Sequence, residues 1–166
     1  MACGIMVIGC GNTWASDDAI GIRVVEFLKK SYDIPSDVTI VEAGCPGIDL
    51  LFIWEDVPAV ILVDAVTGFG MPGTIHTFDA DHLLPREKMP YSSHSINVID
   101  AIELGKKFRQ LPCLLTIVGI EIKSEESFCL KLSPEVEEAL PAACETIFRE
   151  IEKIRCASSL TADTPL

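Results

Sequence analysis

Ala59-Val60-Ile61-Leu62-Val63 is an unbroken apolar run closed by Asp64. A strand with water on one face alternates apolar and polar residues, so a run without alternation must be covered on both faces. Gly4–Ile8 and Cys113–Ile122 repeat the pattern, and Asp37–Glu42 reads as a further strand. Between them, Ile22, Val25 and Leu28, with Ile20, Val24 and Phe27 beside them, recur at helical spacing. The spacing predicts helices over Asp18–Lys30, Gly47–Trp54, Ser95–Phe108 and Pro134–Ile154, the first capped by Ser16. Gly73–Phe78 follows a turn too short for a helical crossover, so it is expected as an antiparallel or edge strand. Asp79–Ser93 carries Pro85 and Pro90 and reads as a long loop, with Ser92 and Ser93 capping the next helix. The fold class that follows is an α/β three-layer sandwich, with helices on both faces of a mostly parallel five-stranded sheet.

A chain of 166 residues, 49% hydrophobic, can bury a full core; at this size roughly 70% of the unfolded surface is covered on folding. One domain over residues 1–156 is expected, with 157–166 as a flexible polar tail. The 13 Lys and Arg against 25 Asp and Glu give a net charge of −12, which repels phosphate backbones and anionic lipid. Nucleic acid and membrane are therefore poor partners. The cysteines at 3, 10, 45, 113, 129, 144 and 156 contain no Cys-x-x-Cys pair, so no zinc ribbon or iron–sulfur site is written. They read as reduced thiols used as small core hydrophobes in a cytoplasmic protein. Met1–Ser16 lacks a basic start and is broken by Gly9 and Gly11, unlike a signal peptide.

Ligands of open parallel sheets bind beyond the carboxyl ends of the strands. That edge gathers the loop Gly9–Asp18, Gly44-Cys45, Asp64 and the loop leading to His94. Gly9-x-Gly11 invites a dinucleotide reading, but Trp14 stands where the third glycine belongs, and acids at a helix start suit a pyrophosphate badly. Asp17 and Asp18 could serve the helix dipole alone, and Asp64 could cap its loop. His76 in a strand and His82 in a polar stretch read as structural or solvated, whereas His94 at a helix start is kept neutral and able to ligate. Taken together, Asp18, Asp64 and His94 make an O/N site for a divalent ion with positions left open for substrate. A competing constellation uses Cys10 or Cys45 as nucleophile with His94 as base.

Gly9-Cys10-Gly11-Asn12-Thr13-Trp14-Ala15-Ser16-Asp17-Asp18-Ala19-Ile20-Gly21 resembles the Gly-x-Gly-Asn-x-x-x-x-Asp-(Asp/Glu)-x-x-Gly opening of the hydrogenase maturation endopeptidases. Val63-Asp64-Ala65, Ser93-His94, Ile117-Val118-Gly119-Ile120-Glu121 and Leu132-Ser133-Pro134-Glu135-Val136 resemble that family's later motifs, in order over roughly residues 4–155. The resemblance implies an endopeptidase that removes a C-terminal extension from a nickel–iron hydrogenase large-subunit precursor once nickel is inserted. It carries the metal-binding roles to Asp18, Asp64 and His94, and the catalytic role to Asp18 and Asp64, in a family grouped with the aspartic peptidases. The nickel is then the substrate's own, although zinc or cadmium would fit the site in vitro. Cleavage is implied after a His or Arg beyond the substrate's last metal-binding cysteine motif. Trp14 replaces a usual aliphatic residue and Cys45 a usual Thr or Ser; Asp17 is left outside the inner set as a loop-orienting group. The other readings are a non-catalytic nickel-sensing chaperone of the precursor and the Cys/His hydrolase. A monomer is the default expectation.

Overall fold

The apolar run at 59–63 forms the middle of the sheet. A computed structural model of the chain describes residues 4–80, 98–123 and 128–162, with side chains as far as residue 157. Five strands, β1 (Ile5–Cys10), β2 (Val38–Gly44), β3 (Ala59–Val66), β4 (Ile75–Asp79) and β5 (Leu114–Glu121), lie in the order β2-β1-β3-β5-β4. Four run parallel, and β4 joins antiparallel at the edge beside β5, as its short connection requires. The helices are α1 (Ile20–Ser31), α2 (Leu50–Ile53), α3 (Val98–Phe108), α4 (Pro134–Glu137) and α5 (Leu140–Ala162).

Both faces of the sheet are covered, which accounts for the absence of alternation. Val7, Ile61, Val63, Val118 and Ile120 pack against Val24 and Leu28 of α1 and Ile147 and Ile151 of α5. Their neighbours Ile8, Leu62 and Ile117 turn the other way, toward Leu50, Trp54 and Ile102. Trp54 is fully buried there, and its indole N–H donates to the Gln110 carbonyl at 2.9 Å, so the large ring leaves no polar atom stranded.

Three local expectations change. Ser16 does not cap α1: it sits at φ +48° as the first residue of a 3-10 turn over Ser16–Ala19, and its hydroxyl donates to the Lys131 carbonyl at 3.0 Å. The long closing helix is two helices. Pro141 in the first turn of α5 has no N–H to continue the ladder from α4, and α5 then runs on to Ala162, past Ile154. Of the six described cysteines only Cys10 and Cys144 are buried; Cys45, Cys113 and Cys156 are exposed, so core filling explains two of the thiols and not the set. Among the described residues no helix is long and apolar enough to cross a membrane. The expected loop over 79–93, its capping serines, His82 and His94 fall wholly or mostly outside the described residues.

Candidate active site at the carboxyl edge of the sheet

Strand β1 leads into the first motif, and close packing explains its glycines. A Cβ on Gly21 would lie 2.2 Å from the carbonyl oxygens of both Cys10 and Val63, so α1 crosses directly over the ends of β1 and β3. Gly11 has φ +136°, and a Cβ there would meet the Asp18 carbonyl oxygen at 2.0 Å. The loop is thus folded back on the turn that carries Asp18. Asn12 laces it: its N–H donates to Asp18 Oδ2 at 3.1 Å, while its own Oδ1 accepts the Trp14 N–H at 3.0 Å. An amide that a phosphate loop would offer to a ligand is already taken by a carboxylate, which removes the dinucleotide reading at this loop.

Asp17 and Asp18, adjacent in sequence, have different surroundings. Asp17 is fully buried. It accepts the N–H of Lys123 at 3.1 Å, the N–H of Ser133 at 2.5 Å and the Ser133 hydroxyl at 2.7 Å. It therefore ties the β1–α1 loop to the exit of β5 and the entry of α4, a stronger form of the expected orienting role. Asp18 stays partly exposed at the mouth of the crevice.

Asp64 lies inside β3 rather than at its end, because pairing with β5 continues through Val66 and Glu121. It is half-buried, and Oδ1 accepts the N–H of Ala65 at 2.9 Å. Burial pushes its carboxyl up to about 7; the Ala65 N–H works against this and the nearby Asp18 adds to it. Since Gly9 pairs with Val63, the next residue, Cys10, comes level with Asp64. Burial raises the Cys10 thiol well above its ordinary range, and Asp64 and Cys45 reinforce the shift. Cys45 is raised by partial burial and by Asp18 and Asp64. A nucleophilic cysteine needs the opposite shift, so neither thiol is prepared as an attacking thiolate.

The fold thus brings Asp18, Asp64, Cys10 and Cys45 to one crevice, while His94 lies outside the described residues. Among the described residues no three His, Cys, Asp or Glu side chains are arranged to hold a metal ion. Two carboxylates remain. Burial and the neighbouring Asp18 raise the carboxyl of Asp64, and a divalent cation would offset both, so the donor set is chemically fit for one.

His76 is placed as its strand position suggested. Its ring packs against Phe69 and Phe78 with centroids 5.6 and 6.0 Å away, and Nε2 lies 3.7 Å from Glu121 Oε2. Glu121 has a function that the sequence reading did not single out. Buried at the end of β5, it accepts the N–H groups of Gly68 at 2.6 Å and Phe69 at 3.1 Å. It thereby clamps the loop that leaves β3 just beyond Asp64. The available signal was the one that marked Asp64, a lone acid closing an apolar strand.

Comparison with known proteins agrees with the motifs. The family model described as HycI, hydrogenase maturation protease, matches residues 22–150. The hydrogenase 2 maturation protease of Escherichia coli is 29% identical over 150 residues, covering 90% of this chain and 91% of that one. The hydrogenase expression/formation protein HupD of Rhodobacter capsulatus is 28% identical over 150 residues, covering 89% and 70%. The solved structure of the E. coli hydrogenase maturating endopeptidase HybD superposes with a TM-score of 0.76 at 28% identity, covering 90% of this chain and 92% of that one. With the family model matching most of the chain and the fold superposing on a solved member of the family, the chain belongs to the hydrogenase maturation protease family, a family of peptidases.

Proposed function

We propose that this protein removes the C-terminal extension of a nickel–iron hydrogenase large-subunit precursor after nickel insertion, and that Asp18, Asp64 and His94 recognise the nickel the precursor already carries. The observation that carries the reading is the convergence of Asp18 and Asp64, from two separate segments, close enough for Asp18 to raise the Asp64 carboxyl. Two oxygens and one imidazole are weak ligands for a late first-row ion, and soft thiolates of the precursor would complete its shell. An empty precursor lacks that bond, and the loss of about 3 kcal/mol of binding is enough for roughly hundredfold discrimination. Binding through the metal also sets the scissile peptide beside the crevice, an orientation effect on the reaction.

The attacking group in this reading is a water from which Asp18 or Asp64 takes a proton, which is the sense in which the enzyme is of aspartic type. The upward shift of both neighbouring thiols supports water over a cysteine nucleophile. A monomer acting in the cytoplasm is the form the reading expects.

The test is mass spectrometry of a candidate precursor, nickel-loaded and nickel-free, incubated with the protein. Loss of a C-terminal peptide from the loaded form alone, reduced at least about a thousandfold by Asp64→Ala, is the expected result. A precursor that binds but stays intact would replace the peptidase by a nickel-sensing chaperone.

A further inference from the structure

Eight large apolar side chains stand exposed among the described residues. Five of them, Trp14, Ile48, Met71, Phe128 and Leu130, come from connections that leave the carboxyl ends of the strands; Phe52 stands on α2, and Phe108 and Leu114 lie toward the other end of the sheet. Apolar surface concentrated around one edge is the mark of a contact with another protein.

Trp14 and Phe128 are the most firmly built of the five. They are 62% and 91% exposed and stand on two segments joined by a parallel bridge between Ala15 and Cys129. The Ser16 N–H donates to the Cys129 carbonyl at 2.7 Å, and the Ser16 hydroxyl reaches the Lys131 carbonyl at 3.0 Å. Ser16 and Phe128 both have left-handed backbone, φ +48° and +62°, which residues with side chains seldom adopt. Asp17 fastens the same loop to Lys123 and Ser133, and Asn12 joins the Trp14 N–H to the carboxylate of Asp18. Two exposed rings are therefore held in fixed relation to the acid at the crevice mouth.

We infer that Trp14 and Phe128, with Leu130, form a docking platform for the folded body of the substrate protein, at an apolar surface beside the segment offered to Asp18 and Asp64. The inference rests on the proposed function and adds how the precursor is held away from its metal. Rings standing on projecting loops cannot enclose a small molecule, whereas a protein surface can cover them. The net charge of −12 disfavours a second copy of this chain or an anionic membrane, and Arg23, Lys30 and Lys131 in the groove beside Leu130 offer a partner protein local charges to pair with at the border of the apolar patch.

The experiment uses the full chain and a nickel-loaded precursor, with Trp14→Ala, Phe128→Ser, the double variant and the conservative pair Trp14→Phe with Phe128→Leu. Phe108→Ser, at a ring from the far end as exposed as Trp14, is the control. The expected result is a KM raised roughly tenfold to a hundredfold in the double variant, with kcat within about threefold, largely restored in the conservative pair and unchanged in the control. Circular dichroism melts check that each variant is folded. An unaltered KM while the wild type cuts overturns the platform and leaves the peptidase standing. An uncut precursor that co-elutes with the wild type but not with the double variant sustains the platform and overturns the peptidase. A precursor neither cut nor held overturns both, and a dimer that the double variant dissociates reassigns the surface to self-association.

Discussion

The brace around Asp17 and the crevice around Asp64 are made by the same motifs and solve opposite problems. Asp17 is fully buried with its side-chain oxygens answered by two backbone N–H groups and a hydroxyl, so fixed protein dipoles stand where water would. Asp64 is less buried, yet its carboxyl is pushed up to about 7 because burial outweighs the N–H of Ala65 and another acid lies nearby. Hydrogen-bond supply, more than depth, separates a carboxylate that holds a structure from one kept ready for a cation or a proton.

Asp17→Ala should break the brace. It strands two backbone donors and a hydroxyl in the interior, and a loss of about 2–4 kcal/mol is expected in urea unfolding. A loss under about 1 kcal/mol would mean that water can replace the carboxylate and that the contrast between the two acids is overdrawn.

Asp64→Asn should act in the other direction, and only at higher pH. The folded carboxyl titrates near 7 against an ordinary 3.8. Between these values the folded protein keeps a proton that the unfolded chain has released, so stability falls as pH rises through the window and levels off above it. In metal-free protein at pH 8 the neutral amide should be more stable than the wild type by about 1–2 kcal/mol, and the advantage should vanish near pH 4. The same difference at both pH values would place its origin outside ionisation.

The smallest effect is expected at Cys45. Its thiol is pushed up, so Cys45→Ser, which removes the thiol without adding bulk to the crevice, should leave cleavage of a nickel-loaded precursor within about twofold. A loss of a hundredfold would restore a thiol mechanism.

Much of the fold was legible because it follows from local pattern. Unalternating runs marked the inner strands, and the short glycine-rich turn before β4 forced an antiparallel edge. What escaped reading depended on distant partners. Ser16 looked like a cap, but its hydroxyl bonds to Lys131, and Asp17 looked like a dipole-facing acid until Lys123 and Ser133 arrived from the far end of the chain. The break before α5 was the exception: Pro141 announced it locally, and the periodicity of the flanking apolar residues hid it. Of the candidate site, Asp64 stood out in the sequence as an acid closing an apolar run and Asp18 through its place in the first motif, whereas Glu121, quoted only as the end of a later motif, was given no role although it carries the same mark as Asp64.

The partners of Asp17 also set an order of events during synthesis. They lie 106 and 116 residues further along the chain. The first motif to leave the ribosome is thus among the last parts of the domain to acquire its shape, since closure over such a span waits for the final strand and the turn beyond it. A nascent or truncated chain ending before Ser133 has Asp17 and Asp18 but lacks the Ser133 N–H and hydroxyl that Asp17 holds in the finished fold. Shape at the start of the chain is thus set by residues made near its end.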